Sequence, residues 1–194
     1  MTAFDPLGFA CHYDIVLDDE PGDEAGDLPH YCFGRDGRHI EEFEFEERWG
    51  TSLVVRIDPL AAPPWVGTFA AGGLGVVRGV YGTPSPRRVC VIVDGLAFLI
   101  GVGAPDQPAS IASDAVVSVS RVANPALLLL TSDNGLAAVG VDGVQWVVPR
   151  LVVDDLRVLR TSADAIVCSG NIGDRMATIT ISPESGVVWG SDYR

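Results

Sequence analysis

The chain has 194 residues, of which 47% are hydrophobic and 20% charged, and its formal net charge is −13. This composition excludes wholesale disorder, and the acidity disfavours direct binding of nucleic acid, whose phosphates require clustered cationic side chains. No apolar run approaches the roughly 18 residues of a membrane-spanning helix, so no membrane partner is expected. The opening MTAFDPLGFACHYD lacks the basic-then-apolar pattern of an export signal, which makes a cytoplasmic location the expectation.

The negative charge is concentrated at the start. Residues 1–60 hold 15 acidic and 4 basic residues, a net of −11, against a net of −2 for the remainder. HYDIVL from His12 and HYCF from His30 read as short strands separated by the acidic run DDEPGDEAGD from Asp18. Proline and glycine break that run, and the acidic spacing of a calcium-binding EF-hand loop is absent, so it reads as a solvated loop. HIEEFEFEE from His39 is a further strand candidate, within which EEFEFEE from Glu41 alternates. A strand there places Phe43 and Phe45 on the core and Glu42, Glu44 and Glu46 together on one solvent face. TSLVVRID from Thr51 and WVGTFAAG from Trp65 complete an N-terminal β region, 1–74. No segment combines a helical period with capping residues.

From residue 75 the chain divides into three units of about 40 residues, 75–114, 115–154 and 155–194. Each begins with a strand-like segment: GVVRGVYG from Gly75, AVVSVSRV from Ala115, DLRVLRTS from Asp155. RVCVIV, ALLLLT and AIVCSG follow, then LAFLIGV, LAAVGV and MATITIS, then the shorter ASIAS, VQWVV and VVWGS. Turn residues fall between the second and third members of each unit, including Asp94-Gly95 and Asn134-Gly135, whose types supply the positive φ of tight hairpins. Four short antiparallel strands per unit make this an all-β chain of consecutive four-stranded meanders, propeller-like in pattern, with a two-sheet β-sandwich as the alternative. Three units do not close a ring, so the N-terminal region is the candidate fourth, and one compact domain is expected. Trp146 and Trp189, each in the last strand of its unit, are expected to pack between neighbouring units.

The stretch LAAVGVDGVQWVVPRLVVDDLRV from Leu136 resembles a pattern in uncharacterised bacterial β-rich proteins with propeller-like blade repeats: an apolar strand, an Asp-Gly turn, a strand with tryptophan, then a short Asp-Leu segment. The resemblance runs from Trp65 to Trp189 and implies a β-rich fold without an assigned activity.

Chemistry-bearing residues are sparse. Cys11, His12, His30, Cys32 and His39 include all three histidines and half the cysteines. Thiolate and imidazole are zinc ligands, yet none of these spacings is the two-to-four residue knuckle of a structural site, so neither metal nor other cofactor is assigned. Cys90 and Cys168 lie inside apolar strands as small hydrophobes, and disulfides are not expected. No nucleophile motif is present, and no catalytic residue is assigned. The expected function is a non-catalytic protein-binding module, in one version an inhibitor or immunity-type protein masking a basic partner. Its contact residues would be Asp18, Asp19, Glu20, Glu42, Glu44 and Glu46. The alternatives are a hydrolase or lyase with a site at the centre of the repeats, and a structural subunit whose open end pairs with another chain.

Overall fold

The computed structural model describes residues 4–17, 27–49 and 52–189. Asp18, Asp19 and Glu20 lie outside them. The described residues form four separate sheets and one short helix, and no sheet closes on itself.

The chain opens with β1 (Phe4–Asp5), which joins the second sheet rather than the first. The first sheet contains β2 (Tyr13–Leu17), β3 (His30–Phe33), β4 (His39–Ile40), β5 (Ser52–Pro59) and β6 (Trp65–Ala70) in the order β2-β5-β6-β3-β4. This is not the expected meander, because β3 pairs with β6 in parallel. The second sheet adds β7 (Gly79–Gly82), β8 (Arg88–Val93), β9 (Leu96–Gly101) and β10 (Ser110–Ser113), with β1 lying parallel beside β7. The third is an antiparallel meander of β11 (Ser118–Val122), β12 (Leu127–Thr131), β13 (Leu136–Gly140) and β14 (Gly143–Val148). The fourth repeats that order with β15 (Asp154–Thr161), β16 (Ile166–Ile172), β17 (Arg175–Ile181) and β18 (Val188–Trp189). The Asp94-Gly95 turn between β8 and β9 has φ of 48° and 87° at its two residues, the left-handed pair a two-residue hairpin needs.

The sheets stack face to face in chain order. Phe33, Val55 and Phe69 of the first sheet share a core with Val91, Phe98 and Ile100 of the second. Cys90, Ile92 and Leu99 on the opposite face of the second sheet meet Leu128 and Leu130 of the third. Leu127, Leu129 and Trp146 on the far side of the third sheet meet Ile166, Cys168 and Ile179 of the fourth. Among the described residues no core cluster joins the fourth sheet back to the first.

Position in the stack explains the sequence pattern. β12 and β13 are buried at every residue because both faces of the third sheet are covered, and such strands read as unbroken apolar runs. Leu127 to Leu130 are a strand for this reason, each leucine contributing roughly 1.5–3 kcal/mol by full burial. β17 covers one face only, and its burial alternates.

One expectation fails here. The segment EFEFEERW is helix α1 (Glu42–Trp49), not a strand. Glutamate is a strong helix former, Glu42 and Glu44 sit in the favourable first turn, and Arg48 in the last reaches Glu44 at 2.5 Å across one turn. The helical period separates the two phenylalanines. Phe45 is buried against Cys32, Ile40 and Ala70 on the outer face of the first sheet, while Phe43 is 68% exposed. The three glutamates therefore do not share a strand face. Glu42 and Glu46 are exposed one turn apart, and Glu44 points elsewhere, paired with Arg48.

Candidate functional site

Under α1 the first sheet gathers its polar side chains. His30 and Cys32 alternate on the outer face of β3, and Thr68 lies beside them on β6, where Cys32 and Thr68 are register partners. A threonine inside a fully buried strand needs a hydrogen-bond partner, and Thr68 finds one in His30, with Oγ1 and Nε2 2.7 Å apart. On the other side of the ring, His30 Nδ1 lies 3.3 Å from Glu42 Oε1. In the tautomer with its proton on Nδ1, the imidazole donates to Glu42 and accepts the Thr68 hydroxyl. Cys32 Sγ is 4.0 Å from the same Nε2.

Hydroxyl, imidazole and carboxylate in this order form a relay, of which the imidazole and carboxylate face one cavity and the hydroxyl does not. A cavity of about 420 Å³ opens beside them, lined by His30, Cys32, His39, Glu42 and Asp106 among others, and Thr68 does not reach it. Cys32 does line it. Burial, followed by the Glu42 carboxylate, pushes its thiol up to about 11, so it is protonated at neutral pH. These contacts tie α1 to the sheet through His30.

Of the five residues weighed as zinc ligands, His30, Cys32 and His39 border one cavity, and Cys11 and His12 lie elsewhere. Cys11 contacts the carbonyl of Phe9 at 3.7 Å, and His12 lines a different cavity. The His39 ring lies 4.6 Å from that of Phe33, with Nε2 3.3 Å from the carbonyl of Gln107. Only His30 and Cys32 meet, and among the described residues no group of three or more His, Cys, Asp or Glu is placed to hold a metal. All four cysteines are free.

The two tryptophans differ. Trp146 is buried in the core of the third and fourth sheets, and its indole N–H donates to the carbonyl of Pro183 at 2.8 Å. Trp189 is 45% exposed. Register places it on the outer face of the fourth sheet beside Thr180, with Val167 next in the row, and Met176 lies on the same face at 60% exposure. Among the described residues no helix is long and apolar enough to cross a membrane.

No family model matches the chain, and no curated protein or solved structure matches it either. What stands of the resemblance to β-rich repeat proteins is the architecture itself, a repeat-like, all-β arrangement of four- and five-stranded sheets.

Proposed function

We propose that the chain is a non-catalytic interaction module that docks a basic protein partner on helix α1. The observation behind this reading is Phe43, an aromatic side chain 68% exposed on a helix whose Glu42, Glu46 and Glu47 are also exposed. An aromatic anchor ringed by like charge suits a partner with an apolar pocket in a cationic surface. Carboxylates steer the encounter and phenylalanine burial holds the complex. An inhibitor that masks a basic enzyme is the specific form this takes.

The test compares captures by immobilised wild-type protein, Phe43→Ser and the double variant Glu42→Gln/Glu46→Gln. A basic protein should be retained by the wild type at low salt, released at high salt, and lost with either variant. Equal capture by all three would refute docking on α1.

A second reading, assembly through the fourth sheet, is favoured by the exposure of Trp189 and Met176 on a sheet face that no other described element covers. Sheets bury such faces against another layer, and a further chain would supply one.

A further inference from the structure

Where the first and second sheets meet, the chain frames a second cavity, of about 340 Å³. Its rim is held largely by backbone hydrogen bonds. The His12 N–H donates to the Pro86 carbonyl at 2.8 Å, the Leu60 N–H to the His12 carbonyl at 2.9 Å, and the Val102 N–H to the Arg87 carbonyl at 3.0 Å. Two aromatic side chains of the first sheet fix the adjoining strand ends. Trp65 donates its indole N–H to the Val102 carbonyl at 2.9 Å, and the Tyr13 hydroxyl reaches the Arg88 carbonyl at 3.1 Å. A site built this way is formed before any ligand arrives.

The lining is chemically lopsided. The turn 59–62, Val102 and Gly103 supply apolar surface and backbone, Arg87 and His12 supply nitrogen, and no lining residue is acidic. This occurs in a chain with 26 acidic and 13 basic residues. Among the described residues, no hydrogen bond or ion pair engages the Arg87 guanidinium. A planar fork of N–H donors above an aliphatic wall is complementary to a carboxylate attached to a short apolar body. The volume falls within the range of small-molecule sites.

We infer that this cavity binds aliphatic monocarboxylates, with Arg87 clasping the carboxylate and Leu60, Ala62 and Val102 receiving the hydrocarbon. The same chemistry is offered by a free short-chain acid and by the terminal carboxylate of a peptide ending in an aliphatic residue. His12 borders the carboxylate end and adds a further donor. This site is independent of docking on α1, and either can stand without the other.

The test titrates isotopically labelled full-length protein with hexanoate, with hexanamide, and with a short acetylated peptide ending in leucine, as free acid and as amide. Backbone amide shifts report binding and confirm that each variant is folded. At least one acid should saturate with shifts at His12, at 60–62 and at Val102, and the matching amide should bind at least tenfold more weakly. Arg87→Gln should lose about tenfold or more, Arg87→Lys less, and Arg175→Gln, which changes net charge equally at a distant exposed site, nothing. Hexanoate binding without the peptide acid assigns the cavity to free acids; tighter binding of the peptide acid assigns it to chain termini. Saturation by neither acid, equal binding of an acid and its amide, or unchanged affinity in Arg87→Gln overturns the proposal.

Discussion

The two ends of the sheet stack are built from the same kind of element and finished differently. At the first sheet the outer face is covered by α1, seated through Phe45 and tied down by the His30 bonds to Glu42 and Thr68. At the fourth sheet the outer face has no such cover among the described residues, and its strand β17 alternates buried with exposed residues. The difference is visible in strand chemistry. β6 is buried at all of its residues although it belongs to an end sheet, whereas β17 shows Met176 and Thr178 to solvent. An end sheet can be closed by a single helix of eight residues, and the strand beneath it then takes on the composition of an interior strand.

That contrast can be broken from the capped side first. Phe45→Ala removes the main apolar contact between helix and sheet, and a loss of about 3 kcal/mol in urea-unfolding free energy is expected. Hydrogen exchange at β3 and β6 should rise with it. A loss below about 0.5 kcal/mol would mean that α1 is held by its polar bonds alone.

Alkali should act on both ends alike. Burial raises the thiols of Cys32 and Cys168 to about 11 and that of Cys90 to about 12. Unfolded thiols release their protons near pH 8.5, so above that point the unfolded chain binds fewer protons than the folded one. Stability is therefore level with respect to these groups up to about pH 8.5 and falls as pH rises through 11. Denaturant midpoints measured between about pH 7 and 11 should show this decline, and Cys90→Ala should make it shallower. A stability that held constant across that window would contradict the burial of the thiols.

The smallest effect on stability is expected at the open end. Trp189→Ser replaces an exposed side chain and should change unfolding free energy by no more than about 0.5 kcal/mol. If the fourth sheet mediates assembly, sedimentation velocity will show a larger species in the wild type that disappears in this variant. A wild type that sediments only as a monomer would leave α1 as the sole docking surface proposed.

Legibility in the sequence followed the same division. Strands of the second, third and fourth sheets were readable because apolar runs bracketed by turn pairs such as Asp94-Gly95 have few other solutions, and RVCVIV coincides with β8. The helix is hidden in the sequence because EEFEFEE carries a period of two that mimics an amphipathic strand. The signals against a strand were the Glu44–Arg48 spacing and the density of glutamate. The parallel pairing of β3 with β6 left no local trace, since it joins segments more than thirty residues apart. The same holds for the polar sites. Thr68 was detectable only as a hydroxyl in an apolar strand, and Arg87 acquires meaning only when the fold brings it to His12.

The strand that opens the chain binds parts of it that are synthesised much later. β1 borders β7 in the second sheet, and just beyond it Phe9 packs into the core between the second and third sheets and lies under the Arg121 guanidinium. A fragment cut at residue 75 would leave behind the strand that shields β7, exposing an unpaired hydrogen-bonding edge of the kind that recruits other chains. A ribosome releasing this protein faces the same interval. Until β7 emerges, β1 has no partner, so the second sheet acquires its final border only after more than seventy residues have been made.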